Sequence, residues 1–149
     1  MIVTINNEQD DLTFDTSSLP TIVEEVVRHE GQSADEVSLH FVDEATICTL
    51  HQKYFHDPSF TDCISFPMHQ GGASRRILGD IFVCPLAAVS YAETSGGDPY
   101  EEVLLYVIHG LLHLMGYDDI GDKESQEMRQ AETRHLDHLK RLKLSIQSQ

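Results

Sequence analysis

Polarity alternates along the early segments of the chain. "MIVTIN" (1–6) and "VSLHFV" (37–42) read as short strands with one buried face. "TIVEEVVRHEG" (21–31) has helical spacing and closes at Gly31. In "DEATICTLHQKYFHD" (43–57), Ala45, Ile47, Leu50 and Tyr54 recur at helical spacing behind Asp43, a plausible N-cap. "DCISFP" (62–67) predicts a strand stopped by Pro67, and "ILGDIFVC" (77–84) a second strand, broken or bulged at Gly79-Asp80. The polar "HQGGASRR" (69–76) would be the long tip of a hairpin between them.

Everything after Pro85 has helical character. "PLAAVSYAETSG" (85–96) opens on proline and stops at Gly96-Gly97. "DPYEEVLLYVIHGLLHLMG" (98–116) has Asp98 as N-cap, Pro99 in the first turn and Gly116 as its stop. "DKESQEMRQAETRHLDHLKRLKL" (122–144) places Met128, Ala131, His135, Leu136, Leu139 and Leu142 on one inner stripe. Five helices and four strands in this order predict an α/β (α+β) fold, with helices packed on a small mixed sheet. The length suits a single domain, 1–149.

Composition narrows the class. With 40% hydrophobic and 23% charged residues the chain resembles an ordinary globular protein. No apolar run reaches the 18 or more residues of a membrane span. "MIVTINNEQD" lacks the features of a signal peptide. Cys48, Cys63 and Cys84, without a CxxC, suggest reduced thiols and a cytoplasmic location. A formal charge of −15 disfavours non-specific attraction to nucleic acid or anionic membrane. Six of the ten basic residues lie at or after Lys123, and Arg75-Arg76 is the one adjacent pair before it. An anionic substrate must therefore be met by a local patch or by a metal.

The 98–116 helix carries the chemistry. From Val103 to Met115 the exceptions to an apolar run are His109, Gly110 and His113. A helix apolar all round is usually the central, buried one. Imidazoles at i and i+4 stand side by side and can converge on one ion. Gly116 ends the helix, and Asp118 and Asp119 follow at once, so either carboxylate could return to the pair. With Asp119 the pattern is His-x3-His-x5-Asp, leaving an open coordination position for water. The competing reading is two hydrogen-bonded core histidines; the glycine stop and the aspartates tip the balance toward metal. Glycine at 110, where HExxH peptidases carry their glutamate base, argues against ordinary zinc peptidase chemistry.

Three blocks resemble the YbeY family of bacterial endoribonucleases. "HGLLHLMGYDD" is similar to the family's HGxLHLxGYDH signature, "TDCISFP" (61–67) to its TDVLSFP block, and "LGDIFVC" (78–84) to its LGDI strand. The resemblance spans roughly residues 40–135. It implies a four-stranded sheet surrounded by helices and a metal-dependent, single-strand-specific RNase. It further implies a role in maturation of the small-subunit ribosomal RNA 3′ end and in ribosome quality control. The expected partners are single-stranded RNA and the small ribosomal subunit, with no DNA and no membrane. The family's first two zinc histidines fall on His109 and His113, and its third on Asp119. Aspartate is a competent Zn²⁺ ligand, and it makes the site harder and more open to Mn²⁺ or Fe²⁺. The family's arginine after the tyrosine of its YR run falls on Phe55; Arg75 or Arg76 is a candidate to replace it across space, although paired loop arginines are more often simply solvated.

The expected chemistry is metal-assisted phosphodiester hydrolysis. No general base is assignable: Asp80 and Asp62 are candidates, but each also suits a cap or turn. Ser65 is a candidate substrate contact, and Tyr117 and Asp118 are candidates for orienting the ligands. His135 and His138 read as packing or surface residues. Two rival classes remain: a ribosome-assembly factor with a structural metal, and an Fe(II) oxygenase with two histidines and a carboxylate.

Overall fold

A computed structural model describes residues 1–68 and 75–149. Residues 69–74, most of the expected hairpin tip, lie outside the described residues. The elements run β1 (Ile2–Glu8), β2 (Phe14–Asp15), α1 (Leu19–His29), β3 (Glu36–Val42), α2 (Glu44–Phe55), β4 (Cys63–Pro67) and β5 (Ile77–Val83). There follow α3 (Pro85–Ser95), α4 (Pro99–Leu114), α5 (Asp122–Arg141) and β6 (Gln147–Ser148).

The main sheet has the order β1-β3-β5-β4. β1, β3 and β5 are parallel, and β4 is an antiparallel edge strand on β5. The fold is therefore mixed α/β, with five helices and a four-stranded mixed sheet. The β4–β5 pairing joins Cys63 to Val83 and Pro67 to Gly79. The bulge falls where expected: between Ile77 and Asp80, β5 spends one residue more than β3. Gly79 sits there with φ of 137°, and a Cβ would collide with the Phe66 carbonyl oxygen, so only glycine fits.

α4 lies centrally, packed against β4, β5 and the helices α1, α3 and α5. Val103, Val107, Ile108, Leu111 and Leu112 are fully buried on it, which explains its apolar circumference. Asp98 caps it by accepting from the Tyr100 N–H at 2.9 Å. Gly110 lets it approach the sheet: a Cβ there would meet Ile81 Cγ2 of β5 at 2.6 Å.

α2 covers the opposite face, where Val42, Ile47, Ile64 and Cys84 form a smaller core. Two details of the hydrophobic pattern are corrected here. On α2 only Ile47 is buried, and Ala45 and Tyr54 are exposed, because the helix meets the smaller core through Ile47. On α5 the stripe of Met128, Ala131, His135 and Leu139 is buried, but the helix ends at Arg141 and Leu142 turns outward. The β2–β6 pair was not foreseen. No helix among the described residues is long and apolar enough to cross a membrane.

Candidate metal centre

His109 and His113 stand on the last turns of α4, half-buried, with their rings edge to face and centroids 4.5 Å apart. Their Nε2 atoms lie 3.0 Å from each other. The helix stops at Leu114, and Gly116, with φ of 108°, reverses the chain. Asp119 then returns its Oδ2 to 3.6 Å from His109 Nε2 and 3.8 Å from His113 Nε2.

The outer nitrogens fix the tautomers. His109 Nδ1 donates to the Glu132 carboxylate at 2.7 Å. His113 Nδ1 donates to the Tyr117 carbonyl at 3.0 Å. Both partners are acceptors, so each Nδ1 carries the hydrogen and each neutral ring presents a bare Nε2 lone pair. With both rings neutral, two lone pairs and a carboxylate oxygen face one another with no hydrogen between them. An arrangement of acceptors alone calls for a cation. With metal–ligand distances of about 2.0–2.2 Å, tetrahedral ligand atoms lie about 3.3 Å apart. The observed triangle of 3.0, 3.6 and 3.8 Å brackets that spacing. These three residues are a group that could hold a metal ion.

The protein around the pair tunes it unequally. Burial depresses His109, but the bond it donates to Glu132 and the charges of Glu132, Asp119 and Asp62 outweigh it and leave the group raised. His113 has no such partner, and burial together with its neighbour His109 holds it low. Cys63 lies beside the site, but burial and the Asp62 charge push its thiol up, so it stays protonated. Its Sγ contacts the Tyr106 carbonyl at 3.5 Å.

Two clefts border His109. One, of about 340 Å³, runs along the edge strand β4 and is lined by Phe55, His51, Ser65, Pro67 and both histidines. The other, of about 170 Å³, is lined by Asp62, Tyr106, Asp119, Arg129 and Glu132.

The remaining candidates fall on both sides of this division. Ser65 faces the first cleft and donates to the Gly110 carbonyl at 3.3 Å, so its hydroxyl braces β4 against α4. Asp62 borders the second cleft. Asp80 is on the other face of the sheet, bonded to His40 Nε2 at 2.9 Å. Arg75 pairs with Glu36 at 2.7 Å, and Arg76 with Asp35, Gln32 and Ser33; neither lines a cleft at the histidines. Tyr117 does orient a ring, through its backbone carbonyl, while Asp118 closes the turn by accepting from the Ile120 N–H. Glu132 and Arg129 escaped the sequence reading. The available signal for Glu132 was its place four residues after Met128, an acid in register with the inner stripe of α5. His135 is fully buried against Glu30, as packing would have it.

Residues 4–140 match the family model described as "Endoribonuclease YbeY". A protein named Endoribonuclease YbeY from Protochlamydia amoebophila is 55% identical over 149 residues, spanning 98% of this chain and 99% of its own. Its namesake from Chlamydia caviae is 37% identical over 139 residues, spanning 90% and 88%. The solution structure of TM1509 from Thermotoga maritima superposes with a TM-score of 0.63 at 28% identity, over 91% of this chain and 87% of that one. A match running from residue 4 to residue 140, joined by relatives aligned over nine-tenths or more of the sequence, places this chain in the YbeY endoribonuclease family.

Proposed function

We propose that this chain is a metal-dependent, single-strand-specific endoribonuclease of the cytoplasm, acting on ribosomal RNA at the small-subunit 3′ end and in ribosome quality control. Family membership supports the nuclease activity. The sequence blocks supply the expectation of a ribosomal role. The observation that carries metal dependence is the meeting of two bare imidazole nitrogens and one carboxylate at a partly exposed helix end.

In this reading His109, His113 and Asp119 hold one divalent ion, Zn²⁺ by preference, with Mn²⁺ or Fe²⁺ compatible with the carboxylate. When bound, such an ion supplies Lewis acidity and lowers the pKa of water from 15.7 toward ~7. Glu132 and the Tyr117 carbonyl keep the rings aimed. The two clefts admit a strand from either side, and Arg129 offers a guanidinium to a phosphate in the smaller one.

The test is direct. Protein purified without a metal-affinity tag should carry about one ion per chain and cut single-stranded RNA, and His113→Ala should remove both properties. Cleavage that survives His113→Ala would place the activity elsewhere.

One observation favours a second reading, an assembly factor with a structural metal and little cleavage. Phe55 occupies the position of the family's arginine, and no Lys or Arg lines the β4 cleft among the described residues. Against it, both histidines remain about 28% exposed, whereas structural metal sites are closed. Binding to small subunits without cleavage of any RNA would decide for the assembly factor.

A further inference from the structure

Among the described residues, one stretch holds four of the exposed large hydrophobic side chains. Of nine large hydrophobic side chains exposed among the described residues, Tyr54, Phe55, Phe60 and Met68 belong to the stretch from the last turn of α2 to the residue after β4. Phe55 is 52% exposed and closes α2 at the mouth of the β4 cleft. It stands in a row of rings: its centroid is 5.8 Å from that of His51 and 6.2 Å from that of Phe66. Phe66 in turn packs edge-on against Tyr54 and Phe82 at 4.9 and 5.7 Å. The ring is thus flanked by other rings, lines the cleft and leaves about half of its surface exposed. Neighbouring exposed apolar side chains, rather than single scattered ones, mark a contact surface.

We propose that Phe55 is a stacking platform for an unpaired nucleobase of the RNA, so that the β4 cleft grips a single strand by its bases and not by its phosphates. This rests on the nuclease reading above and names how that site takes its substrate. Phe55 and the two histidines wall the same cleft of about 340 Å³, so a strand lying at the histidines through this side passes the ring. Among the described residues the cleft walls offer that strand no Lys or Arg, and the chain as a whole carries −15. Away from the ion, therefore, these walls have no Lys or Arg to neutralise the strand's phosphates. Stacking can supply the hold, because every base has a π-face and the attraction needs no charge. A base inside a duplex has both faces covered by its neighbours and is unavailable. Preference for single strands then follows from the chemistry of the wall itself.

The chain has no tryptophan, so Phe55→Trp creates a single reporter. A short single-stranded oligoadenylate, mixed rapidly so that binding precedes cutting, should quench its fluorescence. An abasic strand of equal length, or the same strand in a duplex, should not. Phe55→Ala should weaken binding of the oligoadenylate about five- to a hundredfold. It should leave the salt dependence of binding unchanged, whereas Phe55→Arg should steepen the salt slope by about 0.7. Equal quenching by the abasic strand overturns the proposal, as does unchanged binding by Phe55→Ala. So does a strand that the wild-type protein cuts yet that leaves the fluorescence of the Phe55→Trp variant untouched, an outcome that spares the nuclease reading. Failure of wild-type protein to cut any RNA would instead sink the nuclease reading, and quenching would still report whether the base stacks.

Discussion

Glu132 on α5 and His109 on α4 are locked together, Oε2 to Nδ1, at 2.7 Å. The contact crosses between two helices and fixes which nitrogen of His109 faces Asp119 and His113. Carboxylates in this position orient a ring and raise its basicity as a ligand. Glu132→Gln preserves the shape but removes the charge. Metal affinity should fall roughly 10- to 100-fold, read by competition with a chromogenic chelator. Unchanged affinity would mean that the carboxylate only fills space.

Arg129 should act through phosphate. It borders the smaller cleft with His109, Asp119 and Glu132, in a chain where cations are scarce. Arg129→Ala should weaken single-stranded RNA binding to a similar degree for every sequence and reduce the salt slope by about 0.7. Anisotropy titrations at several salt concentrations measure both. A loss confined to one base composition would contradict a phosphate role.

Gly110 tests the packing beneath the site. An added Cβ lies 2.6 Å from Ile81 Cγ2, an atom on a stiff, β-branched and fully buried side chain. Overpacking of this kind costs about 1–3 kcal/mol, against about 1 kcal/mol regained from helix propensity. Gly110→Ala should therefore destabilise by about 1 kcal/mol in urea unfolding. Because the two side chains collide, adding Ile81→Ala should cost less than the sum of the single changes. Strict additivity would show that α4 does not touch β5 there.

The architecture was legible where local pattern and tertiary burial agree. Alternating runs marked β1 and β3, Pro67 marked the end of β4, and Gly79-Asp80 announced the bulge in β5. The position of α4 followed from its apolar circumference, and the glycine stop placed Asp119 within reach of the histidines. What escaped was what distance in sequence hides. Glu132 is 23 residues from His109, and no local rule links them. The two-residue strands β2 and β6 are too short to show a period. Ala45 and Tyr54 looked like the inner face of α2 because spacing reports a face but not what covers it. The metal pattern itself was visible from spacing, whereas its link to RNA came from similarity to known sequences and not from charge, which pointed away from nucleic acid.

Acid should unfold the protein through the Glu30–His135 pair. Glu30 Oε2 lies 2.6 Å from His135 Nε2 and 2.8 Å from the Arg134 guanidinium, while Oε1 accepts from the Tyr117 hydroxyl at 2.8 Å. Burial raises the Glu30 carboxyl, but these three donors together overcome it and leave it below its usual range. Burial dominates at His135 and holds it low, with Arg134 and His29 acting in the same direction against the pull of Glu30. His135 Nδ1 is buried without a partner, so the folded state offers a second proton no acceptor beyond the ring itself. Both groups bind fewer protons folded than unfolded, so both make stability rise with pH. The histidine contribution is complete above about 6.5 and is lost as pH falls from there through the depressed folded value. The carboxyl contribution is complete above about 4.3 and is lost below it in the same way. His135→Gln keeps a donor for Glu30 and removes the titration. Melting temperatures recorded from pH 7.5 to 4 should fall less between 6.5 and 5 for the variant than for the wild-type protein. The two should run parallel at lower pH, where the carboxylates titrate. Curves that coincide between pH 6.5 and 5 would show that His135 does not couple protonation to folding.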